Sequence, residues 1–558
     1  MYSLQVKDRN YNSWVFEPND PFLVNPLEHK LFHNDCFNYS EFSREIDLVY
    51  SPIRDNANIP GILILENNRS YGRTENRKRL LYRCKPFEIS YPHFLIPYEI
   101  PMGFNKNFRN KYVTFRFDNW DGKHPIGVLS QVIGDIDDLP SYYEYQLFCR
   151  NLHQPITKPL RQCKLKTKEK TNAQWIDLIM SDHNRFGKID RDENPHIFAI
   201  DPEDCTDRDD AISIQQITDQ YCIVTVYIAN VWVWLEAFDL WPFIGNRIST
   251  VYLPDKKRSM LPSVIAEEIC SLDANKECFV IAMDFHIQDC VISYDPPRQK
   301  LITVNKHFSY EDKKLFKYKG FRMLEGITKS IDKSIQDSHD LVAFWMMQMN
   351  TSMAKLMRQK EIGIFRTVQA NAPTKPPDQS NSSIVPKTLR QFVRIWEQKL
   401  SGQYVAFHSA KNLSHDVMGV SEYVHFTSPI RRMVDLVNHL AWISSTKRIP
   451  EEAYRFSEQF IYEIADKNAI MGNIKKVQND CNILFVVTST PELLQKEHDG
   501  FVISSLGDNM YSVYFEELKW IAKLHSSDVI PLHTYVKCKL YIFVKEEQLR
   551  KKIRVQKC

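Results

Sequence analysis

Over the first third of the chain, apolar and polar positions alternate in short runs with a period of two. Ile46-Asp47-Leu48-Val49-Tyr50, Gly61-Ile62-Leu63-Ile64-Leu65 and Leu80-Leu81-Tyr82-Arg83-Cys84 are each one strand long, with Asn, Gly and Pro between them. The pattern returns at Phe94-Leu95-Ile96-Pro97, at 112–117 and at Gly127-Val128-Leu129. Such short strands predict two small all-β barrels, over 31–90 and 91–157, after an N-terminal extension over 1–30. Residues 158–184 begin with Lys158, Arg161, Lys164, Lys166, Lys168 and Lys170 among few apolar positions, and read as a basic linker. From 185 to 490 strands and helices mix. Residues 224–229 read as a buried strand. Leu341, Phe344, Trp345, Gln348 and Ser352 recur at helical spacing in 337–360, with methionines at 346, 347, 349, 353 and 357 as adaptable core filling. Residues 370–386, rich in Pro, Ser and Asn, read as a loop, and 389–400 as a helix. From 491 to 558 the period of two recurs, which predicts a third barrel. The fold class is therefore multidomain, a mixed α/β region flanked by small all-β barrels.

One stretch breaks the apolar pattern abruptly. Residues 200–213 read IDPEDCTDRDDAIS, with six carboxylates between Asp201 and Asp210 and only Arg208 to offset them. Apolar runs lead in and out, so the acidic residues sit at the ends of buried strands. Crowded there, carboxylates repel one another and either protonate or share cations. Oxygen ligands of this kind suit Mg²⁺ or Mn²⁺, and two such ions can cleave a phosphodiester. A solvated acidic turn is the competing reading. Further on, Thr427-Ser428-Pro429 reads as a helix start, with a hydroxyl cap followed by Pro. Arg431 and Arg432 would then fall in a first turn, where the helix dipole disfavours cations unless a phosphate is to be held.

Net charge adds little, because the formal value is only +3 over 558 residues. Its distribution says more. Arg69, Tyr71 and Arg73, with Arg77, Lys78 and Arg79 behind them, interleave cations with a ring as a single-stranded nucleic-acid face requires. Tyr112, Phe115 and Phe117 could stack on bases, but core packing is the better expectation for each. The twelve cysteines are scattered, without a C-x-x-C pair, as expected for reduced thiols. With no signal-peptide pattern and no long apolar run, the expectation is an intracellular protein without a membrane partner, cytoplasmic first and nuclear second.

IDPEDCTDRDDAIS resembles the signature of the RNB family, which comprises ribonuclease II, ribonuclease R and the exosome's catalytic exoribonuclease. His425-Phe426-Thr427-Ser428-Pro429-Ile430-Arg431-Arg432, followed by Asp435 and His439, resembles a second signature of that family. The resemblance runs from about residue 60 to the end and leans towards the exosome-type branch. It implies an RNB catalytic fold with OB-type barrels, and hydrolytic 3′→5′ degradation of single-stranded RNA to 5′-mononucleotides. Asp201, Asp207, Asp209 and Asp210 would bind two Mg²⁺ ions, with Mn²⁺ as the alternative. Asp209 and Arg431 would be catalytic, and Tyr252, Tyr310, Arg366, Arg431 and Arg432 would contact RNA, with Arg432 or Asp435 bracing the helix. A monomer is expected, with single-stranded RNA and accessory RNA-degradation factors as partners. The basic linker would by position form part of an RNA funnel. The N-terminal nuclease domain of the eukaryotic exosome enzyme is not expected.

The chain departs from the family pattern at several positions. Tyr227 and Asn230 replace His and Asp, Ala343-Phe344 replace a Glu pair, Cys278 replaces Arg and Met433 replaces Tyr; Arg208 inside the acidic cluster is also unusual. These departures motivate a second hypothesis, a catalytically weakened RNA-binding protein on an RNB scaffold. A DNA-directed exonuclease is the third. Because the four aspartates and Arg431 remain, an active but divergent enzyme is the expectation.

Overall fold

A computed structural model describes the chain except for residues 20–23, 41, 43, 75–78, 101–107, 195, 369–384, 387–388, 398–401, 411 and 546–549. Arg77, Lys78 and most of the expected 370–386 loop lie outside the described residues. Two compact units emerge, one from 1–153, 253–255 and 476–558, the other from 154–252 and 256–475.

In the first unit the N-terminal extension is itself part of a fold. Tyr2–Val6, Trp14–Glu17, Cys36–Tyr39 and Ile46–Tyr50 form an antiparallel four-stranded sheet. The expected pair of barrels is then one closed barrel of five strands, Ile59–Leu63, Leu80–Pro86, Phe94–Tyr98, Lys111–Asn119 and Ile126–Asp135. Its strands straddle the boundary expected at 90, because Cys84 pairs with Phe94 across the connection 87–93. Tyr112 and Phe115 are buried in the core, as expected. The last barrel closes from His498–Gly507, Met510–Phe515, Trp520–His525, Tyr535–Lys545 and Arg550–Lys557. Within this unit the helix Leu139–Cys149 is tied to C-terminal residues by the Tyr142 hydroxyl, which donates to the Lys551 carbonyl, and by Arg150 with Asp480 at 2.8 Å.

The second unit opens with helices where a linker was expected. Thr157–Glu169 turns Pro159 and Cys163 inward and leaves Lys158, Arg161, Lys164 and Lys168 exposed. Asn172–Ser181 follows, started by a capping box in which Thr171 and Gln174 exchange hydrogen bonds. Lysine is a good helix former, so low hydrophobicity alone did not preclude helix here.

The core of the unit is an eight-stranded sheet, in the order Asp190–Asp192, Arg298–Thr303, Glu277–Gln288, Tyr221–Ala229, Asp210–Thr218, Phe198–Asp201 and Lys306–Ser309, with Val291–Tyr294 paired to the long third strand. Both end pairs are parallel and the central ladder antiparallel. The methionine-rich helix Ser338–Gln359 buries Leu341, Trp345, Met349, Met353 and Met357 completely. The helix after the paired arginines runs Met433–Ser444, not from Pro429, with Arg432 at its N-cap in an extended conformation (φ −142°). Arg431 and Arg432 therefore precede the helix, and the dipole penalty expected for Arg432 is offset by its pair with Asp435. Asp435 takes the first turn instead, where an anion is favoured. Among the described residues no helix is long and apolar enough to cross a membrane.

Candidate active site

Asp201 ends one strand of the sheet and Asp210 begins the next, so the acidic loop is pinned at both ends. Its middle is fixed through the backbone. Ala229 N–H donates to the Asp209 carbonyl at 2.8 Å, and Leu272 N–H to the Arg208 carbonyl at 3.1 Å. These bonds hold Asp201, Asp207 and Asp209 inward, all buried. The solvated-turn reading thus fails for these three aspartates and holds only for Glu203 and Asp204, which are exposed.

Burial has its electrostatic consequence. Desolvation pushes the Asp201 carboxyl up to about 6, against the pull of Arg208 and Arg431. It pushes Asp209 up to about 7, with Arg431 and the Ile430 N–H opposing. Asp210 is driven well above the carboxylate range by burial and then by Asp201 and Asp209. Three carboxyls whose proton affinity is raised by burial make a site where a cation competes with protons.

Cationic side chains already take part of that role. Lys257 Nζ lies 2.9 Å from Asp207 Oδ1 and 2.9 Å from Glu267 Oε1. Arg431 Nε donates to Asp209 Oδ2 at 2.9 Å while Ile430 N–H donates to Asp209 Oδ1 at 2.8 Å, so both oxygens of Asp209 are engaged. Arg208, expected to compete for Asp207 or Asp209, pairs with Asp273 at 2.5 Å and only approaches Asp201, at 3.9 Å. Asp201 Oδ2 and Asp207 Oδ2 remain buried without a hydrogen-bond partner. Those orphaned oxygens, with Asp210, fit a hard divalent cation. Among the described residues no group of three His, Cys, Asp or Glu side chains is placed to hold a metal ion as it stands.

Beside the cluster opens a cavity of about 510 Å³, lined by Asp210, Arg431 and Arg432 at one wall and by Phe344, Met346 and Met347 of the methionine-rich helix at another. Arg432 is turned to a structural task, since its guanidinium makes a two-pronged pair with buried Asp435. This is the bracing expected of one or other of those residues. Tyr310 stacks on His339 with ring centres 3.7 Å apart, and its hydroxyl is pushed up by burial and then by Asp210 and Asp201. Tyr252 is 47% exposed, and its hydroxyl is pushed up by burial and then by Asp207. Both rings thus border the acidic cluster. Arg366 does not line the cavity; it lies over the Tyr404 ring at 4.8 Å and is held down by burial, with Tyr404 opposing and Arg432 adding.

The departures sort by position. Tyr227, Asn230, Cys278 and Met433 are all buried, and none of them lines the cavity. Tyr227 bonds Ser213 at 3.0 Å, and Asn230 bonds Gln299 at 2.9 Å. Ala343 and Phe344 do line the cavity, Ala343 exposed and Phe344 nearly buried. Sequence reading missed Lys257, Glu267 and Asn350. Lys257 stands in a charged run (Asp255-Lys256-Lys257-Arg258) that gave no hint of which cation turns inward.

Comparison with known proteins gives a consistent result. The RNB domain model matches residues 191–321 and 317–444. A Ribonuclease R from Chlamydia pneumoniae is 25% identical over 320 residues, covering 43% of this chain and 45% of that protein. A probable exosome complex exonuclease RRP44 from Caenorhabditis elegans is 27% identical over 177 residues, 30% of this chain and 17% of that one. The chain thus spans less than half the length of these relatives. Among solved structures, Mycoplasma genitalium RNase R in complex with ribose methylated single-stranded RNA superposes with a TM-score of 0.69 at 15% identity, over 100% of both chains. Yeast Ssd1, a pseudonuclease, gives 0.55 at 15% identity over 90% of this chain and 69% of that one. These structures share the fold.

Proposed function

We propose that the chain is a member of the RNB family, whose domain model matches residues 191–444, and that it is a hydrolytic 3′→5′ exoribonuclease acting on single-stranded RNA. The observation that carries this reading is the pairing of buried Asp209 with Arg431, which together with Asp210 lines a nucleotide-sized cavity. Asp201, Asp207 and Asp210 would hold divalent cations, Mg²⁺ or Mn²⁺, two by resemblance. Bound there, such ions supply Lewis acidity and a water of lowered pKa. Asp209 holds the Arg431 guanidinium, which is left to neutralise the phosphate. Tyr252 and Tyr310 offer rings to bases on either side of the acidic cluster, and the apolar wall of the cavity takes the terminal nucleotide. Arg432 supports the reading as a brace for the turn more than as an RNA contact. The exposed cations of the helix Thr157–Glu169 suit RNA backbone. All twelve cysteines are free thiols, in keeping with a reducing, cytoplasmic setting.

The second reading, an RNA-binding protein with weakened catalysis, is favoured by the likeness to a pseudonuclease and by Ala343-Phe344 in the cavity wall. Incubating the chain with single-stranded RNA, with Mg²⁺ or with EDTA, separates the two. The nuclease releases mononucleotides only with the cation; the alternative binds RNA equally in both and releases none.

A further inference from the structure

Residues 425–432 carry Arg431 and form no helix or strand of their own. Their backbone polar groups are instead bonded one by one. The His425 carbonyl accepts from Asn438 Nδ2 at 2.9 Å, and the Phe426 carbonyl from His439 Nε2 at 2.7 Å. Ser428 N–H donates to Asp435 Oδ1 at 2.8 Å. Asn438, His439 and Asp435 all lie on the helix Met433–Ser444, directly after the turn, so they fix the turn to its own continuation.

Asn350 is different. It lies on the methionine-rich helix, 76 residues before the amide it binds, Phe426 N–H, which donates to Asn350 Oδ1 at 2.8 Å. Its Nδ2 donates to the Tyr423 hydroxyl at 3.0 Å and to Thr427 Oγ1 at 3.3 Å. The side chain is 3% exposed, with Met349 and Met353 buried on the same helix. An apolar residue would suit such a position better, since a buried amide is costly unless its groups are bonded. Here its oxygen and both of its N–H groups are used, and every partner lies between Tyr423 and Thr427.

We propose that Asn350 is a positioning residue, joining the helix of the cavity wall to the turn that presents Arg431. The inference rests on the phosphodiester-cleaving reading above. With the turn fixed from both sides, the guanidinium needs no reorganisation when a phosphate enters, and preorganised charge of this kind stabilises transition states more than ground states.

The test compares Asn350→Leu, of similar size but without polar atoms, with Asn350→Asp, which keeps an acceptor for Phe426 N–H and can accept from both hydroxyls. Amide hydrogen exchange of a peptide covering 423–432 is followed with kcat and KM on a short single-stranded RNA. In the leucine variant exchange there should rise about tenfold and kcat fall about ten- to a hundredfold, the effect of one orphaned buried donor, with KM nearly unchanged. The aspartate variant should lie between leucine and wild type in both readouts. Wild-type exchange and kcat in the leucine variant would overturn the proposal. So would a raised KM at unchanged kcat, which would make Asn350 a substrate contact. If the wild type cleaves no RNA the functional reading fails, and the exchange comparison alone decides whether Asn350 holds the turn.

Discussion

Replacing Asp209 by asparagine separates two tasks that meet on one carboxylate. Asparagine can still accept from Ile430 N–H through its amide oxygen, but it then turns an uncharged amide nitrogen, itself a donor, towards Arg431 Nε in place of the carboxylate oxygen 2.9 Å away. Hydrogen bonds to charged groups contribute about 1.5–3 kcal/mol, and each 1.36 kcal/mol is about tenfold in rate. Misplacing Arg431 alone should therefore slow cleavage about ten- to a hundredfold, nearer the lower figure because the Arg431 side chain is 49% exposed. If Asp209 also turns to a cation in the working enzyme, several kcal/mol more are lost and the drop exceeds about a thousandfold. Stability should move the other way. Asp209 is pushed up to about 7, so its ionisation works against the fold as pH rises through that value. Without added cation, Asp209→Asn should be at least as stable as wild type at pH 8 and should still bind RNA. Single-turnover rates, gel shifts and urea denaturation read the three effects. A near-normal cleavage rate would refute the role given to the Asp209–Arg431 pair.

Changing Lys158, Arg161, Lys164 and Lys168 together to Gln should weaken binding of long RNA and flatten its salt dependence, by about 0.7 in log–log slope for each phosphate no longer neutralised; an unchanged slope would remove that helix from the RNA path. His439 is fully buried and pushed down to about 4, so it favours the fold above its ordinary value of about 6.5 and loses that contribution as pH falls from 6.5 towards 4. The stability gap between wild type and His439→Gln should accordingly shrink by about 2–3 kcal/mol between pH 7.5 and pH 4.5 in urea titrations; a constant gap would contradict a neutral buried imidazole. Phe344 packs edge-on to Trp345 at 5.3 Å and Ala343 is exposed. Phe344→Glu should therefore cost about 3 kcal/mol or more, and Ala343→Glu well under 1 kcal/mol, while either changes handling of the terminal nucleotide without being needed for activity.

The burial of Asp201, Asp207 and Asp209 was legible because carboxylates between apolar runs admit few structural explanations, whereas nothing in the run set Glu203 and Asp204, which are exposed, apart from them. The barrel strands were legible too, but not their grouping, since nothing local distinguishes the turn that closes one barrel from a linker between two. The helix Thr157–Glu169 was hidden by its lysines, having only Pro159 and Cys163 as an inward face. Pro429 misled because Ser-Pro marks a turn as readily as a helix start. Asn350 left no trace, because one amide in a methionine-rich helix looks like an exposed position until Phe426 is seen opposite it.

Degradation from the 3′ end has a direction as well as a chemistry. A single-stranded RNA labelled at its 5′ end, followed through time with Mg²⁺ present, tests both at once. Label should pass through progressively shorter RNAs into a short end product, while unlabelled 5′-mononucleotides accumulate and EDTA stops both. Label appearing at once in mononucleotides, or fragments from internal cuts, would contradict degradation from the 3′ end.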